Sequence, residues 1–184
     1  MRPILTLRQY THDLIVHSHD HAQLVFGLSG ALDFEVEGQG SQVRQQSFVV
    51  VPGGAHHACG SPDGSRCLVL DVPDGPWLND SLGEHADASQ RLLDQPARLS
   101  LDAGQSQLVN WLANSAVTDP LIAQQGAVLL LASLNHVRPA EHSARRLPYA
   151  ALDAHIEQYA AYPLQVADLA QIAGLSSARL HARF

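Results

Sequence analysis

The sequence predicts an α+β protein in which an antiparallel β-barrel comes first and helices follow. Three observations predict it. Short segments rich in Val, Leu and Phe, set apart by Gly, Pro and Asp turns, fill residues 3–73. From about Asp102 the apolar period lengthens from two residues to between three and four. The stretch 164–184, LQVADLAQIAGLSSARLHARF, reads as a helix, a tight turn and a second helix.

The β segments are 4–7, 23–28, 32–36, 47–51 and 67–72. Ser29-Gly30, the 37–40 stretch EGQG, Pro52-Gly53-Gly54 and Pro62-Asp63-Gly64 separate them as turns. Leu32, Phe34 and Val36 alternate with Asp33, Glu35 and Glu37, the pattern of a half-buried strand. Many short strands at this spacing predict a closed or sandwich-like antiparallel barrel. Residues 73–96 read as a polar, turn-rich connector.

The helices come next. Leu108, Trp111, Leu112 and Ser115 fall on one face of 104–117. Asp119 as N-cap and Pro120 at the first helical position open another helix. Its 127–134 run, AVLLLASL, is apolar enough that the pair must pack on the barrel or on a partner subunit. Residues 138–147, RPAEHSARRL, are a polar linker. Leu152, Ile156 and Tyr159 mark a helix that ends before Pro163. Then follow 166–173, the turn Gly174-Leu175-Ser176, and a helix from Ser177. Gly174 suits the left-handed position that closes the first helix, and Ser176 the N-cap of the second. The second helix of such a unit is the one that enters the major groove of DNA.

Composition narrows the functional classes. The chain has 184 residues, 46% hydrophobic and 16% charged, as in an ordinary globular protein. No apolar run is long enough for a membrane span, and the N-terminus lacks the apolar core of a secretory signal, so a cytoplasmic protein is expected. Cys59 and Cys67 are too few for a disulfide scaffold and read as reduced thiols. The net charge is −7; residues 1–100 hold twelve acidic residues and six Arg, whereas 138–184 hold four acidic residues and five Arg. Only the C-terminal part is mildly basic. No serine or cysteine sits in a G-x-S-x-G context, and no Gly-rich phosphate loop is followed by a helix.

Six of the eleven histidines lie between residues 12 and 57. His17 and His19, two apart, point to one face of a strand. With His57 from a later strand and the Gln23 amide, they are candidate ligands for Zn, Fe, Mn or Ni. In a competing reading they line an organic-effector pocket, while others, such as His21 and His56, face solvent.

Residues 17–30 and 52–57 resemble the two cupin motifs, HxHxxxE…G and PxGxxH, at their usual relative spacing. Gln23 stands where metal-binding cupins have Glu. The strings HSHDHAQLVFGLSG, VVVPGGAHH and ADLAQIAGLSSARLHARF together resemble the AraC family of transcriptional regulators, weakest over 74–147. The resemblance implies a cupin-like effector-binding barrel over 1–100, a helical homodimerisation element over 101–137 and the first helix-turn-helix half of a DNA-binding domain over 148–184. The effector site would be His17, His19, Gln23 and His57; DNA would meet Ser176, Ser177, Arg179, His181 and Arg183. The chain departs from the family in lacking the second helix-turn-helix, so weak specific DNA binding is expected. No catalysis is expected. The rival readings are a metal-dependent cupin enzyme, an oxygenase or isomerase, and a shortened regulator that pairs with full-length partners through 104–137.

Overall fold

The computed structural model describes residues 4–73, 75–135, 149–159 and 165–173. The chain divides into two compact units, Met1–Ala140 and Glu141–Phe184.

The first unit begins with eight strands: β1 (Leu5–Tyr10), β2 (Ile15–His17), β3 (Gln23–Gly30), β4 (Leu32–Val36), β5 (Gln39–Val43), β6 (Ser47–Val51), β7 (His57–Gly60) and β8 (Ser65–Asp71). Helices α1 (Gly75–Leu82) and α2 (Ala86–Leu93) follow, then β9 (Ala97–Ser100), α3 (Ala103–Ala113) and α4 (Pro120–Leu134). The strands form two antiparallel sheets, ordered β1-β8-β3-β6-β9 and β2-β7-β4-β5.

Burial explains the sequence pattern of each sheet. In the five-stranded sheet, Val25, Val49, Val51, Cys67 and Val69 face the smaller sheet. The intervening Leu24, Phe26, Phe48, Val50, Leu68 and Leu70 face a second core that also holds residues of the helices. Strands covered on both faces must be apolar throughout, hence the unbroken runs in β3, β6 and β8. The smaller sheet has one wet face, hence the alternation in β4. Glu37 and Gly38, at φ 48° and 77°, make the two-residue turn between β4 and β5, the mirror-image turn that suits a twisted hairpin. Gly30, in the first cupin-like motif, has φ 71°, and a Cβ there would lie 2.3 Å from the Gly64 carbonyl oxygen.

The stretch read as a polar connector is instead mostly helical. Leu78, Leu82, Ala86 and Leu93 recur at helical spacing and enter the outer core, while Asn, Asp, Ser and Glu between them gave the segment its polar look. Strands β2, β5, β7 and β9 also escaped the pattern, being short or poor in large apolar residues.

Helices α3 and α4 lie where the periodicity placed them. Asp102 and Gln105 form a reciprocal capping box at α3, and Asp119 caps α4 ahead of Pro120. The buried face of α3, however, is Gln105, Val109, Leu112 and Ala113; Trp111 points outward. The apolar stretch of α4 packs within the chain, since Leu130, Leu131 and Leu134 belong to the outer core.

In the second unit α5 spans Tyr149–Gln158 and α6 spans Val166–Ala173. Leu152, Ala170 and Ala173 are buried together, with Val166, Leu169 and Ile172 against them. Ile156 and Tyr159, expected on the inner face of α5, are exposed. The turn at Gly174 and the helix after it lie outside the described residues, as do the linker 138–147 and the DNA-contact candidates Ser176, Ser177, Arg179, His181 and Arg183.

Candidate functional site

The site lies between the two sheets and is built by strand register. His17 of β2 and His57 of β7 are direct antiparallel partners. Their rings therefore meet, with centroids 4.1 Å apart. His19 lies in the loop after β2, which the bond from the Gly54 amide to the His19 carbonyl (2.7 Å) ties to the turn before β7. Its ring is 4.9 Å from that of His57 and 5.8 Å from that of His17. One ligand nitrogen from each of the three rings lies within 4.8 Å of the others. Phe34 stacks on His57 at 5.7 Å, with ring planes 3° apart, and holds its orientation.

Two of the rings have a nitrogen whose role is readable. His19 Nδ1 donates to the His21 carbonyl at 2.6 Å, and His57 Nδ1 donates to the Ala55 carbonyl at 3.4 Å. Those bonds leave the lone pair on Nε2 of both neutral rings. His19 Nε2 and His17 Nδ1 are buried and have no hydrogen-bond partner among the described residues. Burial lowers the His57 pKa from 6.5 to about 4, and the neighbouring His17 and His19 push it the same way. Burial also lowers the pKa of His19. Neutral imidazoles are the form that binds a metal or accepts a hydrogen bond.

The opposite sheet supplies the polar wall. Gln23 of β3 is the register partner of Asp71 of β8 and donates its amide N–H to Asp71 Oδ1 at 2.6 Å. Asp71 also accepts from Arg8 at 3.1 Å and from His21 Nε2 at 3.1 Å. A buried carboxylate with three donors is satisfied in the way its burial demands. With its nitrogen given to Asp71, Gln23 has only its oxygen left as a ligand atom.

Two cavities adjoin the histidines. One of about 290 Å³ is lined by Arg8, Tyr10, His17, Gln23, Phe34, His57 and Cys59. Another of about 300 Å³ is lined by Arg8, His17, His19, His21, Gln23 and Asp71. Burial raises the thiol of Cys59 to about 11 and that of Cys67 to about 12, and both are unpaired. Both are neutral and weak nucleophiles, and Cys59 lines the first cavity. Burial likewise raises the Tyr10 hydroxyl, so it stays a neutral donor.

All four residues expected at the site thus come together: His17, His19, Gln23 and His57. His56 is exposed, as anticipated, but His21 is not: it is held between Asp20 and Asp71. Sequence reasoning missed Arg8 and Asp71. The signal for Asp71 was there, a charged residue inside the apolar run of 67–72.

Comparison with known proteins finds relatives of part of the chain and of nearly all of it. Residues 7–73 match the cupin domain family. The chain is 26% identical over 155 residues to the Bacillus subtilis protein YobQ, named as an uncharacterized HTH-type transcriptional regulator. The match takes in 73% of this chain and 64% of that relative's length. Among solved structures, fatty-acid-bound ToxT from Vibrio cholerae aligns over 97% of this chain and 73% of its own, at 8% identity and a TM-score of 0.48. The AraC-like activator CuxR aligns over 99% and 70%, at 16% identity and a TM-score of 0.46. No described helix is long and apolar enough to cross a membrane. Residues 7–73 are thus a cupin domain, in a chain similar to a helix-turn-helix transcriptional regulator.

Proposed function

We propose that this chain is the sensing part of an AraC-type transcriptional regulator of the cytoplasm, with a small effector bound in the barrel at His17, His19, Gln23 and His57. In this reading residues 1–100 sense, 101–137 dimerise, 138–147 link, and 148–184 carry a helix-turn-helix that meets DNA through Ser176, Ser177, Arg179, His181 and Arg183. The likeness to a named regulator supports it. The observation that carries the site is the pair of buried, unpartnered nitrogens, His17 Nδ1 and His19 Nε2, beside His57. Buried ring nitrogens without partners, on three rings that each bring a nitrogen within 4.8 Å of the others, call for a ligand.

The donor set suits a divalent cation such as Zn, Fe, Mn or Ni, held by the three imidazoles and the Gln23 oxygen. When bound, it would supply a Lewis-acid anchor for an effector oxygen. The amide brings no charge, but Asp71 behind it does, 2.6 Å from the amide nitrogen. Arg8 and Tyr10 then orient the effector from the opposite wall. Effector binding would bias how the chain is arranged on DNA, which is how a sensor couples to a reading helix. No reaction is proposed for this chain.

Elemental analysis of the purified, untagged protein beside His57→Ala tests the centre. Near-stoichiometric metal that disappears in the variant is expected. No metal in either protein, even after incubation with Zn, Fe, Mn or Ni, overturns the cation and leaves the histidines as the hydrogen-bonding wall of an organic-effector pocket.

A further inference from the structure

The first unit holds a third and larger cavity, of about 890 Å³. None of His17, His19 and His57 lines it. It is bounded by the start of β3, the end of β8, the turn after β6, and helices α1, α2 and α4. Ile4, Val72, Trp77, Leu78 and Leu93 give it an apolar body. Asp20, Asp71, Asp94, Gln90 and Gln124 supply its acidic and amide groups, and no arginine among the described residues lines it. Its size falls within the roughly 300–1,000 Å³ of small-molecule sites.

We propose that this cavity binds a small organic amine with an apolar body. Tryptophan beside carboxylates is the chemistry that recognises an ammonium group, which is drawn to the aromatic face and donates N–H to the acids. An anion would meet the carboxylates of Asp20, Asp71 and Asp94 and, among the described residues, no arginine. The Trp77 indole N–H is buried without a partner among the described residues, so an oxygen on the ligand would meet an unmet donor. His21 and Asp71 also line the barrel cavity, and Asp71 holds Gln23 and Arg8 there. An ammonium that drew on Asp71 would therefore be felt at the histidine centre. The proposal stands whether or not the histidine centre binds anything.

The chain has two tryptophans, Trp77 and Trp111, and Trp111 is exposed, so Trp111→Phe leaves Trp77 as the only one. That variant is titrated with n-hexylamine and, separately, with hexanoate, and Trp77 emission is read. A saturable change is expected for the amine, with half-saturation at least about tenfold lower than for hexanoate. Adding the exposed Asp94→Asn should weaken the amine by roughly threefold or more. Equal responses to both probes, no saturable response to the amine, or an amine response that Asp94→Asn leaves as tight would each overturn the proposal.

Discussion

Gln23 shows how one residue changes what a site can hold. A glutamate there would bring a charge directly to the histidines. The amide instead gives its N–H to Asp71, and the charge sits one bond further back, shared with Arg8 and His21. Burial of His57 against the other imidazoles also makes the metal-free protein acid-sensitive. His57 is only 3% exposed, and its pKa falls from 6.5 to about 4 on folding. Between those values the unfolded chain binds the proton and the folded chain does not, so stability falls as the pH drops from about 6.5 towards 4. The loss should reach up to about 3 kcal/mol, and His57→Gln should flatten most of it. Urea denaturation of the metal-free protein at pH 7.5, 6, 5 and 4 checks this; parallel slopes for the two proteins would refute it.

At the scale of elements, the helices are held to the sheet by close approach and by specific polar bonds. Gly126 is a point of close approach between α4 and its neighbours. A Cβ there would stand 2.5 Å from Leu112 Cδ2 of α3 and 3.4 Å from Leu5 Cδ1 of β1. The Gln105 side chain of α3 donates to the Ser133 carbonyl of α4 at 2.7 Å, so the two helices cannot simply slide apart. Gly126→Val should therefore destabilise the first unit by about 1–3 kcal/mol through overpacking. Its denaturation midpoint should fall with the dependence on denaturant unchanged. An unchanged midpoint would mean that Leu112 moves aside at no cost.

For the whole molecule, the helix pair packs in a way that redraws the proposed dimer surface. The apolar run of α4 is mostly spent inside the chain. Trp111, Leu121 and Leu129, at 61%, 67% and 58% exposure, are the large apolar residues that α3 and α4 leave outside. In the proposed homodimer these three form the contact. Leu129→Asp should then shift sedimentation from dimer to monomer, with little change in the stability of the barrel. A dimer that persists in this variant would place the contact elsewhere.

How much was legible in the sequence differs from element to element. The barrel strands β3, β4, β6 and β8 were readable, because burial on one or both faces writes itself as alternation or as an unbroken apolar run. The start of α4 was readable from Asp119 and Pro120, because capping is local chemistry between residues two or three apart, whereas the capping box at Asp102 was not read. The histidines were readable as a set because the two motifs carry them at a specific spacing. What the sequence by itself determined was therefore the fold class, most of the elements and four residues of the candidate site. Only the tertiary structure decided that His17 and His57 are strand partners, that Asp71 and Arg8 stand behind Gln23, and that Trp111 faces outward. It also decided that residues 75–93 are helices laid over the sheet. Strand register, helix rotation and burial are set by contacts between residues far apart in the chain, and no local pattern records them.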